Sequence, residues 1–441
     1  MAIQKHSRRQ LVVASFLTTG LVVVASLATG ILLARVLGPD GRGLLLALTF
    51  WPALIAAMLN LSLNEATAYH VASRVGTPHE SLATSTAFQL VLVALVCSLA
   101  ITATGLGLVV PAKYDQYLGL IIVYALAFVP VTQLDLYFRA VLQGRGAIVS
   151  LNAVRLIQPV SNLALLIALL VLGILDVRGA MAVTIGAMTV SLVLGAALAR
   201  PSLLKFESGL HREIAGTGWR FHKANLLLYA ASEFDKVIVL VLLTTTQVGL
   251  FAVAMAVSSI GTGIVLQSLG LMLMRDMASA EGEADLKRVF VANMRAAFAV
   301  LLVGNGVAGV LAPWAIPLLY GASFAAAVPV TVLFLGMGAL KGARQMIDKA
   351  LRATHHTRTG MIGEATALGG LAILGSIGAV VGGLEGLALG ALVAQAVALL
   401  VVLRPAGAQF SAGACDLWPF QRAALDDVRA FLWPKMPSEI P

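Results

Sequence analysis

Two cysteines in 441 residues leave no disulfide framework, and Cys97, inside an apolar run, has no metal-ligand spacing to Cys415 near the C-terminus. Charge is equally scarce. Asp, Glu, Lys and Arg make up 12% of the chain, against about 25% in an ordinary soluble protein. Catalytic motifs are missing too: the seven histidines are scattered, and no HExxH pair, GxSxG elbow or GxxxxGK[ST] phosphate loop occurs. His355 and His356 abut in a turn, where solvated loop residues are expected rather than metal ligands. No loop is long enough for an aqueous catalytic domain, which argues against membrane-embedded transferases and polymerases. The chain is therefore not expected to be an enzyme, and no cofactor or metal is expected.

What is present is apolar length, with 59% of residues hydrophobic. Leu11 to Ala34 carries no charge, and at about 1.5 Å per residue it exceeds the roughly 30 Å hydrocarbon core of a bilayer. It is also too long for the apolar region of a cleavable signal peptide, so it reads as a first transmembrane helix. The stretch ILLARVLGPDGRG, residues 31–43, then reverses the chain through Gly38-Pro39-Asp40-Gly41 into a second uncharged run from Leu44 to Leu63. Proline cannot donate a helical hydrogen bond and glycine permits positive φ, so a helical hairpin is expected there.

Repeating this reading along the chain predicts spans at about 11–34, 44–73, 82–110, 117–142, 148–174, 179–199, 217–243, 247–275, 290–320, 325–352, 360–382 and 386–403. The fold class is an all-α polytopic membrane protein, with twelve transmembrane helices in two six-helix lobes around a central cavity. With both termini cytoplasmic, about 25 of the 30 Lys and Arg residues fall inside. Arg35, Arg42, Lys113, Arg178 and Lys236 are left outside. The net charge of +9 is thus read as topology and not as affinity for nucleic acid.

The halves look alike. LGPDGRGL at 37–44 occupies the turn that LTTTQVGL at 243–250 occupies later, and YFRAVLQGRG resembles IDKALRATHHT at an offset near 210. Parallel six-helix repeats follow. The expected divisions are an N-terminal lobe over 1–200, an amphipathic cytoplasmic linker over 201–216, a C-terminal lobe over 217–404, and a cytoplasmic tail over 405–441. The linker carries Leu203, Leu204, Phe206, Leu210 and Ile214 among charges, while Leu417, Phe420, Leu425, Val428 and Phe431 suit an interfacial helix in the tail, with a disordered tail as the alternative.

Polar groups at bilayer depth are costly and face a bundle interior or water. In span five, Asn152, Arg155, Gln158 and Asn162 form one stripe; in span two, Asn60, Asn64, Thr67, His70 and Arg74 share a face, with Glu65 about 100° away. Span seven carries Asn225, Tyr229, Ser232 and Lys236 at helical spacing, with Glu233 and Asp235 beside them, and span ten ends with Lys341 and Arg344 deepest in a basic face. Asp135 and Arg139 in span four stand at i,i+4, where an intrahelical ion pair is the plain reading. The Ser and Thr sector of span one (Ser15, Thr18, Thr19, Ser26, Thr29) suits either helix packing or cavity lining.

Several segments carry a family likeness: LARVLGPDGRG with the following LNLSLNEATAYHVA, then NAVRLIQPVSNLALL, then GWRFHKANLLLYAASEFDKVIVLVLLTTTQVGLFAVA, then LLYGASFAAAVPV with KALRATHHTRTG. Over about residues 8–404 the chain resembles the polysaccharide flippases, the O-antigen and exopolysaccharide exporters of the multidrug/oligosaccharidyl-lipid/polysaccharide superfamily. The resemblance implies a carrier of the bacterial inner membrane that moves a polyprenyl-pyrophosphate-linked oligosaccharide from the cytoplasmic to the outer leaflet by alternating access, for surface polysaccharide biosynthesis. On that expectation Arg155, Lys341 and Arg344 would hold the diphosphate, since guanidinium binds two oxygens at once. Asn60, Asn64, Asn152, Gln158, Asn162 and Asn225 would bind sugar hydroxyls. Asp235 matches an acid of the family's seventh helix and with Glu233 would bind a coupling H⁺ or Na⁺, although a salt bridge of either to Lys236 is the structural alternative. Arg35 and Arg42 are outer-gate candidates, with snorkelling to the headgroups as the simpler reading. A polymerase and a chain-length regulator are expected partners beside membrane lipids, and the chain is expected to act as a monomer.

The sequence departs from two relatives. It lacks the first-helix acid of many drug exporters, and it has neither the fourteen helices nor the first-helix arginine of the lipid II flippases. A cation-coupled multidrug or small-molecule antiporter remains the alternative, followed by a non-transporting scaffold of a glycan assembly complex.

Overall fold

The computed structural model describes residues 8–202, 205, 208–354, 356–413 and 416. Cys415, His355, Leu203, Leu204, Phe206 and the apolar positions of the expected tail helix lie outside the described residues. Within them the chain is helical throughout: α1 (Arg8–Leu59), α2 (Leu63–Ala72), α3 (Glu80–Val109), α4 (Leu118–Gly144), α5 (Ile148–Val171), α6 (Val177–Ala199), α7 (Ser208–Leu242), α8 (Thr245–Ser279), α9 (Gly282–Tyr320), α10 (Val328–Ala353), α11 (Thr357–Gly370) and α12 (Ser376–Gln409). A π turn, Leu371–Gly375, joins α11 to α12.

Eight of the described helices are long and apolar enough to cross a membrane, and two of these, Leu17–Leu59 and Thr357–Gln409, run to 43 and 53 residues. At about 1.5 Å per residue, either is long enough for two crossings. Both are bent at glycine. Gly38 stands at φ 65° inside α1, and Gly383 at φ 56° follows Gly382 inside α12. These are the reversals expected at 38–41 and 382–386, and with α7 and α8 they give the twelve crossings of a multi-pass membrane protein. The sixth and seventh crossings depart from expectation at their junction. α7 is one continuous helix from Ser208, and Leu210 and Ile214, read as a surface face, are 6% and 0% exposed.

The chain divides into two compact units, Met1–Leu226 and Leu227–Pro441. In the first, Leu210 and Ile214 pack with Leu63, Ala83, Tyr137, Phe138 and Val154 in one apolar core, so the start of α7 is fastened to α2, α3, α4 and α5. An ion pair from Arg74 to Glu213 (3.2 Å) and a contact of 3.0 Å between His70 Nε2 and Thr217 Oγ1 add polar ties. In the second, Leu273, Phe290, Met294, Met346, Ile347 and Phe410 form the core, with the Phe290 and Phe410 rings stacked at 4.3 Å. Lipid-facing helices gain little from apolar contact with one another, so close backbone approach must hold them. Gly378, Gly386 and Gly390 supply it: a Cβ at any of the three would strike backbone of the opposing segment.

Both units contain the same local device. A six-residue 3-10 turn, Ala112–Tyr117, leads into α4, and another, Ala322–Ala327, leads into α10, 210 positions later. Each buries an aromatic at its third position, Tyr114 (2% exposed) and Phe324 (0%).

Candidate functional site

Span two is not a continuous helix. It breaks between α1 and α2, where Leu61 and Ser62 adopt φ 51° and 52°, a left-handed conformation that is costly for residues with a side chain. The break separates Asn60 from Asn64, so the single polar face expected over 60–74 does not exist. Asn60 is 5% exposed and donates to Gln133 Oε1 (3.2 Å), while Gln133 Nε2 donates to Ser98 Oγ (3.1 Å). Asn64 and Glu65, on the far side of the break, face a cavity instead.

That cavity lies in the first unit and has a volume of about 590 Å³. α2 contributes Asn64, Glu65 and Tyr69, α4 contributes Arg139 and Gln143, α5 contributes Arg155, and α7 contributes Phe221. α2 and α4 approach closely because residue 144 is glycine; a Cβ there would stand 2.7 Å from the Ala68 carbonyl oxygen. Pro159 lies one turn beyond Arg155 in α5. Having no N–H, it cannot serve the Arg155 carbonyl, and it loosens α5 at the cavity wall.

Arg139 is the better-anchored cation. Its Nε lies 2.7 Å from Asp135 Oδ2, and its Nη2 donates to Gln158 Oε1 (2.7 Å) and Ser191 Oγ (3.0 Å). Ser191 donates onward to Asp135 Oδ1 (2.8 Å), so α4, α5 and α6 share one network. Asp135 is buried while the Arg139 side chain keeps 21% exposure toward the cavity. Arg155 is exposed and makes no hydrogen bond or ion pair among the described residues. One wall therefore presents two guanidinium groups, one fixed and one free.

The lining from α2 and α7 is acidic and aromatic. Asn225 Nδ2 donates to both carboxylate oxygens of Glu65 (3.0 and 2.9 Å) and reaches Ser62 Oγ at 3.4 Å. Tyr69 and Phe221 meet edge to face at 6.4 Å. Of the stripe expected on span five, Arg155 lines the cavity, Gln158 braces Arg139, Asn162 is half-buried, and Asn152 (7% exposed) donates to Ser15 Oγ at 3.0 Å. Glu65, Tyr69, Arg139, Gln143 and Phe221 were not expected as site residues. The i,i+4 spacing pointed to the Asp135–Arg139 pair, but no local signal shows that Arg139 also borders a cavity.

The candidates of the second unit are largely self-satisfied. Arg344 is 2% exposed, forms an ion pair with Glu364, and donates to Gln395 Oε1 (3.3 Å). Lys236 pairs with Glu233 (2.6 Å), and Asp235 accepts from the Lys236 backbone N–H (2.8 Å). Lys341 is half-buried. Arg35 is exposed, Arg42 is half-buried, and both take part in polar interactions beside the Gly38 bend.

No protein-family model matches this sequence, and neither does any curated protein sequence. Solved structures do. An inward-facing multidrug resistance MATE family transporter of the MOP superfamily matches 88% of this chain and 94% of its own, with a TM-score of 0.70 and 17% identity. The lipid II flippase MurJ in an inward closed conformation matches 95% of this chain and 92% of its own, with a TM-score of 0.74 and 12% identity. A MOP superfamily transporter from Pyrococcus furiosus matches 91% and 94%, with a TM-score of 0.53 and 17% identity. At such identities the likeness is one of fold, and the chain is an all-α, multi-pass membrane protein with the fold of the MATE transporters and of MurJ.

Proposed function

We propose that this chain flips a polyprenyl-pyrophosphate-linked oligosaccharide from the cytoplasmic to the outer leaflet of a bacterial inner membrane by alternating access, in the synthesis of a surface polysaccharide. The observation that carries this reading is the paired guanidinium wall of the first-unit cavity, Arg139 and Arg155, facing amides, a carboxylate and aromatic rings. A diphosphate asks for planar cationic donors in a protected site, which arginine supplies in bidentate form. Sugars ask for amide and carboxylate partners and flat apolar faces, which Asn64, Gln143, Glu65, Tyr69 and Phe221 supply. A cavity of about 590 Å³ suits a diphosphate with its first sugars. The prenyl tail is left in the bilayer.

In this reading Arg155 takes the diphosphate directly and Arg139 joins with its exposed edge. Asp135, Ser191 and Gln158 hold Arg139 in place, and Asn60 and Asn152 brace the helices that form the walls. Lys341 is a second cation for the substrate's path, and Asp235 with Glu233 forms the coupling site for H⁺ or Na⁺. Two similar units built around the repeated 3-10 turns are the lobes of the carrier, with both termini cytoplasmic.

The exposed carboxylate of Glu65 would also suit a cationic drug, which keeps a multidrug antiporter as a second reading. One experiment separates them. Deleting the gene and complementing with Arg155→Ala should lower surface polysaccharide about tenfold or more, the loss expected when a charge-assisted phosphate contact disappears, with the variant still present in the membrane. Normal polymer together with drug hypersensitivity of the deletion strain would overturn the flippase reading in favour of the antiporter.

A further inference from the structure

The two walls of the cavity differ in charge, and the difference has a partner chemistry of its own. On the α2 and α7 side, Glu65 is exposed, forms no ion pair among the described residues, and is held by the Asn225 amide across both of its oxygens. The hold is built and not incidental. Asn225 also reaches Ser62, which is presented by the left-handed break at 61–62, and Gly218 lets α7 pack against that break, since a Cβ there would stand 3.0 Å from the Leu61 carbonyl oxygen. An ionised carboxylate has about four acceptor positions and no donor. Asn225 engages both oxygens from a single amide nitrogen, which leaves further acceptor positions on an exposed carboxylate that lines the cavity together with Tyr69.

Resting on the flippase reading above, we infer that Glu65 is a specificity-determining residue: the cavity accepts a first sugar presenting hydroxyl, amide or ammonium donors, and rejects one that carries a carboxylate. With the diphosphate drawn to Arg139 and Arg155, the adjoining sugar meets the rest of the same cavity lining, which includes Glu65 and Asn64. A neutral or amino sugar completes the acceptor positions of Glu65. A uronic acid brings a second anion against it without a donor to offer, and like-charge juxtaposition of this kind is a common means of excluding a wrong partner.

The test uses the purified full chain in lipid nanodiscs and two synthetic probes, farnesyl-pyrophosphoryl-N-acetylglucosamine and farnesyl-pyrophosphoryl-glucuronic acid, measured by competition binding. Wild type should bind the first at least roughly tenfold more tightly, a difference of about 1.4 kcal/mol. Glu65→Gln should bring the ratio near unity by strengthening the uronic probe. Asn225→Leu should narrow the ratio, whereas Arg155→Ala should weaken both probes together and leave the ratio standing. Glu65 also lies in the first turn of α2, where an acid favours the helix dipole; were that its whole role, Glu65→Gln would lower thermal stability and leave the ratio unchanged. Equal binding of the two probes by wild type, or an unchanged ratio in Glu65→Gln, overturns the inference and leaves the flippase reading intact. Failure of wild type to bind either probe overturns the flippase reading itself, and this inference with it.

Discussion

Arg344 and Arg139 are both buried-side arginines with a carboxylate partner, yet they stand in opposite situations. Arg344 has its charge matched by Glu364 at Nη1 and its Nε satisfied by Gln395, with 2% exposure, so its side chain is committed to α11 and α12. Arg139 is matched by Asp135 but leaves an edge in a cavity. Removing one member of a buried pair strands the other charge, at a cost of about 3 kcal/mol or more. Glu364→Leu should therefore unfold at clearly lower temperature in detergent, and adding Arg344→Met should restore most of the loss, because a matched apolar pair replaces the ion pair at little cost. Arg155→Ala, by contrast, should leave the melting temperature nearly unchanged. Scanning fluorimetry on the purified variants checks all three. The residue types are legible in the sequence: the polar stripe of span five and the i,i+4 pair of span four both stand out in an apolar chain. Which arginine is satisfied depends on Glu364 and Gln395, 20 and 51 positions away in other helices, and no helical wheel contains that information.

Among the elements, the bends differ in what they tolerate. Gly38 has φ 65° and ψ −177°, a region open to glycine and hardly to any other residue, with nothing within 4 Å of a Cβ placed there, so Gly38→Ala should cost only backbone strain, about 1–3 kcal/mol. Gly390 has an ordinary helical backbone, but its Cβ would run into the Leu374 carbonyl. Gly390→Ala must push two spans apart, and about 3 kcal/mol is expected from overpacking a fitted contact. Thermal unfolding of the two variants side by side should show the larger drop for Gly390→Ala; the reverse order would mean that α12 relaxes without loss. The first of these bends could be read from Gly38-Pro39-Asp40-Gly41. The break at Leu61 and Ser62 could not, because neither residue favours φ above zero and no glycine or proline marks it. It is imposed by packing, as the approach of Gly218 shows, and this is why Asn60 and Asn64 do not share the face that helical spacing assigns them.

For the whole molecule, the twelve crossings follow from length and hydropathy, and eight described helices meet those criteria unaided. α7 does not, because its charges lower the average, and its beginning was hidden for a related reason. Leu210 and Ile214 alternate with Arg212 and Glu213, a pattern that serves a membrane surface or a protein core equally well, and here the core takes them. Orientation rests on the Lys and Arg asymmetry alone and can be checked directly. In a Cys97→Ala, Cys415→Ala background, Gly146→Cys should react with an impermeant maleimide only after the cells are opened, and Gly173→Cys should react in intact cells. The opposite pattern would invert the topology, and with it the side from which the Arg139 and Arg155 wall is first reached.

The hairpin bends carry one more consequence. The first turns on a glycine at φ 65°, whereas its counterpart, 206 positions later, turns on Thr244, whose hydroxyl accepts from the Gln247 backbone N–H at 3.3 Å while Gln247 Oε1 accepts from the Thr244 backbone N–H at 3.1 Å. The same place in the two halves is thus shaped by backbone freedom in one and by side-chain capping in the other. The fold-back at this position is kept by two unlike devices, a positive-φ glycine in one half and a capped helix start in the other. What the two corners share is their spacing, as Tyr114 and Phe324 share theirs, and not the residues that make them.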